Sequence, residues 1–77
     1  MRKPMSRLEF MNARATLGWS YPELANTLGV SLRTPFRWAS GENNLQGPEA
    51  RLLRLLVLLR LTVSAHKFNE LMEELRR

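Results

Sequence analysis

The 77-residue chain contains no cysteine. That absence removes disulfides, thiolate metal sites and a cysteine nucleophile together, and it suits a reducing compartment. A cytoplasmic location is the resulting expectation. Long hydrophobic runs are missing too. The most apolar stretch, Leu52 to Val63, is about twelve residues long and carries Arg54 and Arg60, whereas a membrane span takes roughly 20 residues. No membrane contact is expected. The segment after Met1-Arg2-Lys3-Pro4 is polar and amphipathic, unlike the apolar core of an export signal. Histidine occurs once, as His66, with no second His at ligand spacing and no nearby Asp. Neither a metal site nor catalysis is expected from it, and it reads as a surface residue in the first turn of a helix. Internal repeats, low-complexity tracts, linkers and convincing strand patterns are also absent.

The residues that are present point to one folded, all-α domain over residues 1–77. The apolar fraction of 44% is ordinary for a globular protein. A chain of this length buries only about 60% of its unfolded surface, so a thin core is expected. The net charge of +5 is unevenly placed. Residues 1–40 hold six Lys or Arg against two Glu, while residues 41–77 hold six against five. A concentrated positive field favours polyanions, because neutralising phosphates releases condensed counterions; a charge of this size also serves solubility alone.

Five helices are predicted. Ser6-Arg7-Leu8-Glu9 has the form of a capping box, so the first helix starts at Arg7 and ends near Leu17, before Gly18. It offers Leu8, Phe10, Met11, Ala13, Ala15 and Leu17 for burial. Ser20-Tyr21-Pro22-Glu23 is a second capping box with Pro22 in the first turn, and it opens a helix over Tyr21 to Leu28 that Gly29 breaks. A third helix fits Leu32 to Ala39 if Ser31 caps it, or Pro35 to Ala39 if Thr34 does. Because Pro35 has no N–H to donate, the late or distorted start is preferred. Glu42 to Gly47 reads as an exposed loop, and Gly47-Pro48 opens a fourth helix over Pro48 to about Thr62. Ser64 caps a fifth, over about 65–76, whose Phe68, Leu71, Met72 and Leu75 form one apolar stripe.

Two short helices that cross steeply need a small residue at their contact and a Gly in the turn. Ala25 and Gly29 meet those needs, Val30 plugs the space beneath the turn, and Trp38 anchors the second helix. Gly18-Trp19-Ser20-Tyr21-Pro22-Glu23-Leu24-Ala25-Asn26-Thr27-Leu28-Gly29-Val30-Ser31, followed by Arg37-Trp38-Ala39-Ser40-Gly41, resembles the helix-turn-helix of the phage repressor and Cro family. The larger xenobiotic-response-element family shares it. The resemblance runs from about Phe10 to Leu56 and includes Arg14 and the Gly-Pro start of the fourth helix. It implies a compact five-helix bundle of the lambda-repressor-like type that binds operator DNA, usually as a dimer. The chain departs from the family pattern at two positions. Pro35 stands where a β-branched aliphatic is usual, and Tyr21 where a Gln is common.

In the geometry the resemblance implies, the exposed face of the third helix enters the major groove and turns Leu32, Arg33, Phe36, Arg37 and Ser40 toward the bases. Arg33 and Arg37 are the strongest candidates, since an Arg fork matches guanine O6 and N7; the alternatives are a solvated surface or a phosphate clamp. Phe36 either touches a thymine methyl or is a core residue displaced by Pro35. Phosphate contacts are expected from Ser20 and Tyr21 at the start of the second helix, and from Asn43, Asn44 and Gln46 after the third. Arg2, Lys3 and Arg7 form either a basic arm or a frayed terminus.

Leu52, Leu53, Leu55, Leu56, Val57, Leu58, Leu59 and Leu61 cover more than one face of the fourth helix, so a homodimer through the fourth and fifth helices is expected, with burial inside the monomer as the alternative. The expected partner is double-stranded DNA, with no cofactor and no small-molecule ligand. A phage repressor, an antitoxin that represses its own operon and a small chromosomal regulator all fit this pattern. The rival is a protein-interaction module on the same fold that has lost base reading, and Pro35 is the feature in its favour.

Overall fold

The computed structural model describes residues 4–77, and among them are five helices: α1 (Arg7–Leu17), α2 (Tyr21–Leu28), α3 (Arg33–Ser40), α4 (Pro48–Thr62) and α5 (Ala65–Leu75). The bundle is all-α. One isolated antiparallel bridge joins Met5 to Leu45, with the Met5 N–H donating to the Leu45 carbonyl at 2.7 Å. No helix among the described residues is long and apolar enough to cross a membrane.

Most helix ends are set by local chemistry. Ser6, Ser20 and Ser64 each accept a hydrogen bond from the backbone N–H three residues on, satisfying a donor that the helix itself leaves unpaired. At Ser20 the box is complete, since the Glu23 carboxylate accepts from the Ser20 N–H. At Ser6 only half of the expected box forms. The Glu9 carboxylate turns instead to Arg54 on α4, with Nε–Oε2 at 2.8 Å and Nη2–Oε1 at 3.1 Å. This two-point fork ties α1 to α4 and holds the Glu9 carboxyl below its usual pKa, chiefly through the hydrogen bond from Arg54.

Between α2 and α3 the chain turns through Gly29, whose φ of 72° lies in the left-handed region that favours glycine. Its N–H returns to the Ala25 carbonyl. Gly47, at φ 70° and ψ −149° before Pro48, occupies backbone space that residues with a Cβ rarely visit.

The core gathers Phe10, Ala13 and Leu17 of α1, Leu24 of α2, Trp38 of α3, Ala50, Leu53 and Leu56 of α4, and Phe68 and Met72 of α5. Trp19 completes it between α1 and α2, stacked on Phe68 with ring centroids 5.9 Å apart. The Arg76 guanidinium lies over the same indole at 4.9 Å, and its Nε donates to Thr27 Oγ1 at 2.8 Å, binding the end of α5 to α2.

Three expectations about burial are corrected. Leu8, Met11 and Ala15 are exposed. Helix α1 carries two apolar stripes, 8/11/15 and 10/13/17, each at i, i+3, i+7, and a helix lying on one side of a core buries only one of them. The loop from Glu42 to Gly47 is not wholly exposed, because Leu45 is buried where it pairs with Met5. On α5, Phe68 and Met72 are buried and Leu71 half-buried, but Leu75 is exposed.

Candidate nucleic-acid interface

Helix α3 is fastened by Pro35 and Trp38, three residues apart and both buried. The Trp38 indole meets the Phe10 ring edge to face, with centroids 5.8 Å apart. Burying that side turns the opposite one outward, and Leu32, Arg33, Phe36, Arg37 and Ser40 are all exposed. The structure therefore brings all five residues expected to face the bases onto one exposed face.

Pro35 neither delays nor breaks the helix, which begins at Arg33. The late start is corrected, for a physical reason. Pro35 is the third helical residue, where a backbone N–H would have no partner within the helix. Leu32, at the N-cap, has no side-chain oxygen to supply, and Pro35 removes one donor that would need it. The proline ring is free of the clash it makes inside helices because Ser31 lies outside the helix. The Ser31 and Thr34 hydroxyls bond each other at 2.9 Å, and the Thr34 N–H donates to the Ser31 carbonyl at 3.1 Å.

Tyr21, at the start of α2, meets Phe36 edge to face with centroids only 4.5 Å apart. The Arg14 guanidinium lies 4.5 Å from the Tyr21 ring centroid. Three helices thus contribute to one column, Arg14–Tyr21–Phe36, which fixes the Phe36 ring at the surface. Arg14 Nε is buried and has no hydrogen-bond partner, so the π-face of Tyr21 supplies the electrostatic compensation available to it.

At the far end of α3, Arg37 Nε lies 3.3 Å from Glu42 Oε2. The Ser40 hydroxyl is engaged on both sides, donating to the Arg37 carbonyl at 3.1 Å and accepting from the Glu42 N–H at 3.4 Å. Arg7 also reaches this end, its Nε donating to the Ala39 carbonyl, so it is a helix-terminus partner and not part of an arm. Arg2 and Lys3 lie outside the described residues.

The residues expected at phosphates divide into two groups. The Ser20 hydroxyl is held within its own capping box, donating to Glu23 Oε1 at 3.0 Å, and the Glu23 carboxylate opposes an anion at this helix start. Tyr21 is half-buried by its ring contacts. Asn43, Asn44 and Gln46 are exposed, and the Asn43 N–H donates to the Arg37 carbonyl at 3.3 Å. His66 stands on the exposed surface of α5, with Nε2 at 2.8 Å from Glu70.

A second surface lies on α4. Leu55, Leu58 and Leu61 are 61%, 62% and 70% exposed. Leu58 also lines an open cleft of about 350 Å³, which is bordered besides by Met5, Ala13, Thr16 and Val57, by Asn12, and by the Glu9 and Arg54 of the α1–α4 fork.

The architecture defines an all-α five-helix bundle with a tightly connected α2–α3 pair. No family model matches the chain, and neither a curated protein nor a solved structure matches it.

Proposed function

We propose that the chain is a sequence-specific double-stranded DNA-binding regulator of the repressor and Cro type, with α3 in the major groove. The observation that carries this reading is the division of α3 into a buried side, Pro35 and Trp38, and an exposed side bearing Arg33 and Arg37 four residues apart. Each guanidinium fork can take guanine O6 and N7, or a phosphate pair. The tight turn at Gly29, the small buried Ala25 and the basic first half of the chain support the same reading. Pro35, the feature in favour of the rival protein-interaction module, leaves α3 continuous from Arg33 to Ser40.

An eight-residue helix is about 12 Å long and so spans about three or four base pairs, too few to define a site by itself. A second copy supplies the missing length. The exposed leucines of α4 lie along and beside the open cleft, and pairing them across a two-fold axis would remove their apolar surface from water. Leu55, Leu58 and Leu61 are accordingly the residues proposed for a homodimer seam.

The deciding measurement is fluorescence anisotropy with random duplex DNA and with duplex from the chain's own upstream region, across a salt series. Affinity should fall steeply with salt. The Arg33→Ala, Arg37→Ala variant should lose chiefly the preference for the upstream duplex. If neither duplex binds at low salt, the regulator reading is wrong and a protein partner takes its place.

A further inference from the structure

The face of α3 is more apolar than phosphate binding or guanine reading requires. Leu32 is 56% exposed and Phe36 53% exposed. They stand four residues apart, hence on one side of the helix, and Arg33 and Arg37 come directly after them. A surface that alternates a large apolar group with a guanidinium suits a ligand that is anionic and also carries apolar groups at fixed places.

Phe36 is also held in position. Its ring rests edge to face on Tyr21 at 4.5 Å, and Tyr21 is in turn set against Arg14 at 4.5 Å. A side chain ordered in advance loses little rotamer freedom on binding. The column thus has the form of a pre-positioned contact, not of a core residue pushed outward.

Resting on the DNA-binding reading above, we propose that Leu32 and Phe36 form a thymine-methyl-reading strip. The C5 methyl of thymine is the apolar group that the major groove of ordinary DNA displays. With the neighbouring arginines on guanine, the strip selects sites in which thymines adjoin guanines. Tyr21 then acts on the strip as a positioning residue that holds the Phe36 ring.

The test begins with duplexes enriched by the 77-residue protein from a random pool. These are resynthesised in two forms, with thymine and with uracil in its place, so that only the C5 methyls differ. The uracil form should bind roughly tenfold more weakly, as expected for two methyl groups left unburied. This ratio should hold across the salt series, because a methyl contact releases no counterions. The Leu32→Ala, Phe36→Ala variant alters only half-exposed side chains, so its fold should persist by circular dichroism, and it should bind the two forms alike.

Equal affinity of the wild-type protein for the two forms overturns the proposal and leaves the DNA-binding reading standing. A uracil penalty unchanged in the double variant also overturns it, since the penalty then comes from duplex shape. If no duplex is enriched at all, the sequence-specific DNA-binding reading falls and the strip falls with it.

Discussion

Glu42 sits across the end of α3 with its carboxylate 3.3 Å from the Arg37 guanidinium, so one of the two arginines proposed to read DNA already holds an internal anion. Both side chains are substantially exposed, and exposed pairs of this kind are weak, about 0–1 kcal/mol. A phosphate or guanine can therefore displace Glu42, but the displaced carboxylate remains close to the DNA. Glu42→Gln is expected to raise DNA affinity several-fold at low salt and to lose that advantage as salt screens the charge. Titrations at two salt concentrations check this, and unchanged affinity at low salt would show that Arg37 does not approach the duplex.

Pro35 makes a second case. Its side chain is fully buried and its missing N–H falls where no acceptor is needed. Pro35→Ala is expected to preserve the helix content and to lower stability by about 1–2 kcal/mol, from lost packing and a more flexible unfolded chain. Chemical denaturation with far-ultraviolet circular dichroism measures both quantities. A gain in stability would mean that the proline strains α3.

Acid should act through Glu9. Arg54 holds the folded-state carboxyl below its ordinary pKa of 4.5. The fork therefore contributes fully above that value, and its contribution is lost as pH falls through the lower folded pKa. Wild-type stability should decline over this acidic window, and Glu9→Gln should decline less while being less stable at neutral pH. Thermal unfolding between neutral pH and about pH 3 gives the comparison.

The α4 leucines yield a prediction about assembly. Leu55→Glu with Leu61→Glu alters two exposed side chains and should leave the monomer folded. Sedimentation should show the wild-type protein as a dimer and the variant as a monomer with markedly weaker site-specific DNA binding. A monomeric wild type at high micromolar concentration would remove the proposed seam.

Most helix boundaries were legible in the sequence because their causes are local: a serine oxygen three residues before its N–H, a glycine in the left-handed region, a proline in a first turn; the start of α3 was not, because Pro35 pointed to a later one. Spacing puts 32, 33, 36, 37 and 40 on one side of α3, but that this side faces outward was implied by the repressor-like resemblance, and for Phe36 a core placement stood beside it. Contacts between distant segments were not legible. Whether α1 buries its 10/13/17 stripe or its 8/11/15 stripe depends on what lies opposite. Glu9 had a local partner in Ser6 and a distant one in Arg54, and the charged partner won, as a charge-assisted two-point bond should. Leu45 looked like a loop residue until Met5 paired with it. The Tyr21–Phe36 contact joins two helices across a turn, and Trp19, stacked on Phe68 beneath Arg76, gave no sign in its own neighbourhood of the sequence.

The two tryptophans give the bundle a pair of internal optical reporters. Trp19 is buried against Phe68 of α5 and Trp38 against Phe10 of α1, so each indole senses a different junction. With the other replaced by Phe, Trp38 emission follows the docking of α3 and Trp19 emission follows the closure of α5. If both traces shift together with temperature, the bundle melts as one cooperative unit. If the Trp19 trace moves first, α5 peels away while the α2–α3 pair is still formed.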